Sequence, residues 1–505
     1  MSLDDSPFFD RLNTNYIPSD PEILEIRALL VDPTGELARV GAQIEAMEIA
    51  LSQLKERREL LKRPIDAHRA LISPMRRAPE DVLREIFLFC LPSEHNALID
   101  PAEAPLILGH ICRHWRTIVY STPILWSSIH IPCDIPRSVS PKLERVVETW
   151  LERSGSCSLS ISVGNPDGSG DPNLKNHPLI RRLLPISRRL YSLEIFGTLD
   201  FIRPLVQLGS QDVPLLKHIA IRTNRPDQPF DVLHAPALED VSLNLASSTD
   251  PLSYPLRWSL LTGLNLECYP SWNPEEGGLD SLGALNVLRR CPNIVRCELR
   301  ITRRVPFGTS VDISPIILPQ IHSLVITGLC HSQEWSSHWV VPKLRYLQVG
   351  DSAFADATSH TGDGMTAHIN LNEFTSSSLQ QLLRSFPMIS HLRLSPEMVC
   401  GYPDSPLSLD DAFLAFFYPP HDLCPILTDV AITAPSAGFS DAAALAFIKA
   451  RMTMAVPLQH FCVQFDRPLE VDIIPDLQPF ISGGLRVELE YPTPAWEFDA
   501  RAGLY

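Results

Sequence analysis

Few residues in this chain stand at spacings that could do chemistry. His110, Cys112 and His114 come closest, because imidazole and thiolate are common zinc ligands. On one continuous helix His110 and His114 would share a face at i, i+4. Cys112 would point elsewhere, and no fourth ligand is evident, so no metal site is expected. Asp167-Gly168-Ser169-Gly170-Asp171 opens like a calcium loop, but no Glu closes it at the twelfth position, and it reads as a turn. The Gly-rich phosphate cradle ending in Gly-Lys-(Ser/Thr), the dinucleotide Gly-x-Gly-x-x-Gly, the zinc-protease His-Glu-x-x-His and the Gly-x-Ser-x-Gly elbow are all missing. Without an anchoring motif the scattered Asp, Glu, Ser and His side chains define no catalytic set, so neither catalysis nor a cofactor is expected.

The balance of charge narrows the partners. Against 43 Lys and Arg stand 59 Asp and Glu, a net charge of −16, which repels a phosphate backbone and argues against nucleic acid. A basic stretch runs through Lys55, Arg57, Arg58, Lys62, Arg63, Arg69, Arg76 and Arg77. It reads as the solvated face of a helix, with a nuclear address as the alternative. Met1-Ser2-Leu3-Asp4-Asp5 lacks the basic and apolar regions of a signal peptide, and no apolar run reaches the roughly 20 residues of a membrane span. The 11 Cys are odd in number and form no Cys-x-x-Cys pair, which fits reduced thiols in the cytoplasm or nucleus. With 505 residues, 45% of them apolar, the chain can bury more than one core.

The elements follow from periodicity. Residues 1–34, broken by Pro7, Pro18, Pro21 and Pro33, read as a mobile segment with a short helix over Glu22–Leu30. Residues 35–72 read as a coiled-coil helix. Leu37, Val40, Ile44, Met47, Leu51, Leu54 and Leu61 alternate steps of three and four, Arg58 fills the interrupted position, and Pro64 is expected to end it. In a parallel homodimer the flanking pairs would be Gln43–Glu48, Ala50–Lys55 and Arg57–Lys62. None attracts, so cover by the same chain or a different protein is expected instead.

Residues 73–130 hold two helices with an excess of apolar side chains. Pro79 to Leu91 carries Val82, Leu83, Ile86, Phe87 and Cys90 on one face, yet Leu88, Phe89 and Leu91 lie off it. A second helix, opened by Pro105 and closed before Pro123, carries Leu106, Ile107, Leu108, Ile111, Cys112, Trp115, Ile118 and Val119 on more than one face. So short a segment cannot cover both alone. Either the rest of the chain or a separate subunit must do so.

The residues here resemble the F-box. Ala78-Pro79-Glu80-Asp81-Val82-Leu83-Arg84-Glu85-Ile86-Phe87 is similar to that family's first helix. Ile111-Cys112-Arg113-His114-Trp115 and then Leu125-Trp126 are similar to its later blocks. The wider pattern resembles the F-box proteins expanded in mushroom-forming fungi. The resemblance implies a three-helix domain over residues 73–130 that binds a Skp-type adaptor and, through it, a cullin ubiquitin ligase. Pro79, Leu83, Ile86, Phe87, Ile111, Cys112 and Trp115 match positions that build the family's core or its adaptor contact. Ala78 stands where the family has Leu, and the connection Pro92–Ala104 is longer than usual. It either loops out or alters the partner surface.

Residues 131–505 repeat a phrase close to Pro-x-Leu-x-x-Leu-x-Leu, beginning at Pro214, Pro236, Pro292, Pro319, Pro342, Pro387, Pro425 and Pro457. Each tail alternates as a strand does, and helical stretches such as Leu282–Arg290 and Leu379–Ser385 precede several copies. The pattern resembles irregular leucine-rich repeats. The fold class expected is therefore α/β overall: an all-α N-terminal part, then a leucine-rich-repeat-like α/β solenoid able to hold a protein substrate. The alternative is a protein-interaction scaffold outside any ligase.

Overall fold

The structure is a computed structural model that describes residues 6–72, 74–133, 141–164, 177–224, 230–246, 250–269, 278–303, 314–328, 339–351, 364–396 and 407–492. The calcium-like turn at Asp167–Asp171 lies outside them. The chain is mixed α/β, with a helical N-terminal region followed by a long parallel sheet. It divides into two compact units, Met1–Glu85 and Ile86–Tyr505.

The first unit is dominated by α1 (Asp20–Leu71), 52 residues long. Its start is fixed by Glu22, whose carboxylate accepts from Ser19 N at 2.8 Å, Ser19 Oγ at 2.6 Å and the Tyr16 hydroxyl at 2.7 Å. The short helix expected over Glu22–Leu30 is the beginning of this longer one, and Pro64 does not end it. Each proline inside α1 removes one backbone donor and crowds the carbonyl four residues back, and on an exposed helix water can satisfy the freed carbonyls. Among the described residues of this unit nothing covers the heptad seam: Leu37 is 73% exposed and Met47 71%. A short α2 (Pro74–Arg77) follows, then α3 (Glu80–Phe89), inside which the division between the units falls.

The second unit continues with α4 (Leu106–Ile111), α5 (Arg113–Tyr120) and a 3-10 turn at Pro123–Trp126. Its strands are β1 (Ser128–Pro132), β2 (Leu159–Gly164), β3 (Leu190–Phe196), β4 (His218–Asn224), β5 (Asp240–Ala246), β6 (Gly263–Tyr269), β7 (Arg296–Ile301), β8 (Ile316–Ile317), β9 (Ser323–Gly328), β10 (Trp339–Val340), β11 (Tyr346–Val349), β12 (Met365–Asn370), β13 (Ile389–Ser395), β14 (Asp429–Ile432), β15 (His460–Gln464) and β16 (Arg486–Glu490). Except for β8 and β10, which pair with each other, they form one sheet in which neighbours follow chain order and the described pairings are parallel. Parallel neighbours cannot be joined by tight hairpins, so each connection must cross over. Among the crossovers are α6 (Pro141–Arg153), α7 (Pro178–Leu183), α8 (Leu199–Val206), α9 (Ser281–Arg290), α10 (Ser376–Ser385), α11 (Asp411–Ala415), α12 (Asp441–Met452) and α13 (Ile474–Ser482).

Each proline phrase leads into a strand: Pro214 into β4, Pro236 into β5, Pro292 into β7, Pro319 into β9, Pro342 into β11, Pro387 into β13, Pro425 into β14 and Pro457 into β15. Register then stacks like on like. Ile129, Ile161, Leu193, Ile219, Val241, Leu264, Cys297, Leu324 and Leu347 lie side by side across the sheet and are buried. Their neighbours one residue on face the other way as a mainly polar row: His130, Ser162, Glu194, Ala220, Ser242, Asn265 and Glu298. One face is therefore core, and the other carries polar side chains.

The β1 edge of the sheet is covered. The long connection Pro92–Ala104 does not loop out but packs on the first strand. Asn96 and Ala97 are buried against β1, where His130 N donates to Ala97 O at 2.8 Å, Ala97 N to Ser128 Oγ at 3.1 Å, and Ser128 Oγ to Asn96 Oδ1 at 2.8 Å. An open edge strand is an invitation to aggregate, and this segment occupies it. At the far end Asp441 is fully buried. It accepts from Arg467 Nη2 at 2.7 Å, Tyr491 OH at 2.9 Å and the Glu470 and Val471 amides at 2.9 Å each. Burial alone would raise its pKa. The Arg467 bond, the two amides and the Tyr491 hydroxyl outweigh it and hold the carboxyl at about 2.

Candidate partner-docking surfaces

The first two matched blocks of the helical region meet ring against ring, and the third packs on Tyr120 and Trp150. Phe87, fully buried near the end of α3, packs its ring 4.8 Å from that of Trp115 on α5. Trp126 is also fully buried, donates from Nε1 to Val119 O at 2.9 Å, and meets Trp150 of α6 edge-on at 4.8 Å. Trp150 in turn donates to Ser128 O at 3.2 Å, tying the helices to the first strand. Arg153 lies over Tyr120 at 4.0 Å and Trp126 at 4.6 Å.

The single helix expected over residues 105–120 is two helices. Cys112 is extended, at φ −157 and ψ 169, and ends α4 while capping α5: Trp115 N donates to its Sγ at 3.4 Å. The break frees the Gly109 carbonyl, which takes a bond from Arg116 Nε at 2.8 Å. It also puts His110 and His114 on different helices, so the shared i, i+4 face does not exist. Among the described residues no group of three or more His, Cys, Asp or Glu could hold a metal ion.

Burial divides the residues that spacing alone leaves together. Leu83 and Phe87 are fully buried and belong to the core. Ile86, Cys112 and Trp115 are half-buried. Pro79 is exposed, and so is Ile111, at 56%. Two residues singled out only for their apolar character join the exposed group: Phe89, 88% exposed at the end of α3, and Ile107, one turn before Ile111 on α4. Large apolar side chains held in water on these short helices make this face a candidate docking surface.

The polar face of the sheet offers a second surface. A cleft of about 310 Å³ over β1–β6 is lined by His130, Glu194, Phe196, Arg222, Asn244 and Glu267, among others. Burial pushes the His130 imidazole below its usual pKa, against the opposing pull of Glu194. Farther along, Glu298 accepts from Asn265 at 2.9 Å, and burial followed by the neighbouring Glu267 charge raises its pKa. Arg300 is held by both carboxylate oxygens of Asp351, at 2.9 and 3.3 Å. This row escaped sequence reading because β1, β2, β3 and β6 lack the proline phrase. Their plain alternation, as in Leu159-Ser160-Ile161-Ser162-Val163, was the available signal.

No protein-family model matches the chain, and no curated protein matches it. No described helix is long and apolar enough to cross a membrane.

Proposed function

We propose that this chain is the substrate-recognition adaptor of a Skp–cullin–F-box ubiquitin ligase. The observation that carries the reading is the meeting of the first two family-like blocks, Phe87 against Trp115, with Trp126 of the third block bonded to Val119 O, while Ile107 and Ile111 of α4 stay in water. The exposed apolar residues would take the Skp-type adaptor. The parallel sheet is read as an irregular leucine-rich-repeat-like solenoid, and its polar face would take a protein substrate. No bond chemistry falls to this chain: holding a substrate near an activated ubiquitin raises its effective concentration, and other subunits do the transfer.

Affinity capture of the purified chain with a Skp-type adaptor tests this. Binding by the natural chain and its loss in Ile111→Asp, with circular dichroism unchanged, supports the proposal. Failure of the natural, folded chain to bind rejects it and favours a scaffold acting outside a ligase.

A further inference from the structure

We propose that α1 pairs antiparallel with α1 of a second copy of this chain, through the seam from Leu37 to Ile65. The inference rests on the exposed helix and its charges and is independent of any ligase role. Apart from Arg58 the seam is apolar, exposed along its length and uncovered by the described residues of its own unit, and a helix with such a stripe gains by packing it against another.

Charge decides what that other helix is. In a parallel pair Arg58, at a seam position, would face its own copy, and Arg57 would oppose Lys62. An antiparallel pair removes both conflicts. Setting Leu51 against the second copy's Leu54 brings Met47 against Arg58, Ile44 against Leu61 and Val40 against Ile65. The Arg58 stem can lie on Met47 while its guanidinium reaches water. The flanking positions then bring Glu48 against Lys55, twice by symmetry. Of the other flanking pairs, Gly41–Lys62 and Ala50–Arg57 carry charge on one side only and Gln43–Pro64 carries none. Sliding one heptad either way opposes like charges: Glu48 meets Glu48 and Arg27 meets Arg69 in one direction, Lys55 meets Lys55 and Arg57 meets Arg57 in the other. One register therefore attracts without repelling, which is how flanking charges select partner and orientation.

Sedimentation equilibrium of the full chain tests this, with circular dichroism as the control for folding. The expected result is a reversible dimer. Lys55→Glu sets Glu48 against a second carboxylate at both ends and should weaken association about tenfold or more. Glu48→Lys with Lys55→Glu restores opposite charges and should recover the dimer. In a parallel pair Lys55 would face Ala50, so loss on Lys55→Glu also reports orientation. A chain that stays monomeric up to about 100 μM, a Lys55→Glu protein that associates like the natural one, or a double exchange that fails to restore association would each overturn the proposal.

Discussion

Phe87 and Ile111 both sit in family-like blocks, and sequence spacing gives no reason to separate them. Their surroundings do: Phe87 is sealed against Trp115, and Ile111 is in water. Phe87→Ala should cost about 3–5 kcal/mol in chemical denaturation, whereas Ile111→Asp should leave stability within about 0.5 kcal/mol and alter binding alone. Asp441 makes a different prediction. Its folded pKa of about 2 lies below the ordinary 3.8, so its stabilisation is present above about pH 3.8 and is lost as pH falls toward 2. Asp441→Ala should cost about 3 kcal/mol because Arg467 is left without its buried partner, and it should flatten the acid limb of a stability–pH profile. That role was not legible in the sequence. Asp441 opens an Ala-rich helical stretch, and its partners lie at Arg467, Glu470, Val471 and Tyr491, brought close only by folding.

Helices and strands were legible to the extent that their pattern was local. The alternation after each proline phrase marks a strand because side chains on a strand face opposite ways, and register carried that alternation across the sheet. Two boundaries were not legible. Pro64 was expected to end α1, but the helix runs through it to Leu71, and an interior proline can kink a helix as well as break it, which local spacing does not decide. The break at Cys112 has no glycine or proline to announce it. The Gly109 carbonyl that it frees accepts from Arg116, a bond that helical spacing does not announce. The connection Pro92–Ala104 likewise gains its role from a strand more than twenty residues later. Replacing Glu94–Glu103 with a short Gly-Ser link should uncover the edge of β1 and convert a well-behaved protein into one that aggregates with time, measured by light scattering. An unchanged scattering profile would show that the edge needs no cover.

At the scale of the molecule the chain has an exposed heptad helix in one unit. The other unit holds a compact aromatic helix cluster and a parallel sheet with one apolar and one polar face. The proposed division of labour gives the cluster to the ligase and the polar face to the substrate. Composition already argued against nucleic acid, since a chain of net charge −16 repels phosphate, and against membrane spans. It could not say which surface meets which partner, because that depends on residues left exposed after folding. Hydrogen exchange of the full chain, alone and saturated with a Skp-type adaptor, tests the central claim most directly. The expected result is new protection at the end of α3 around Phe89 and along α4 from Ile107 to Ile111, with the polar sheet face unchanged. Unaltered exchange in α3 and α4 at saturating adaptor would contradict it.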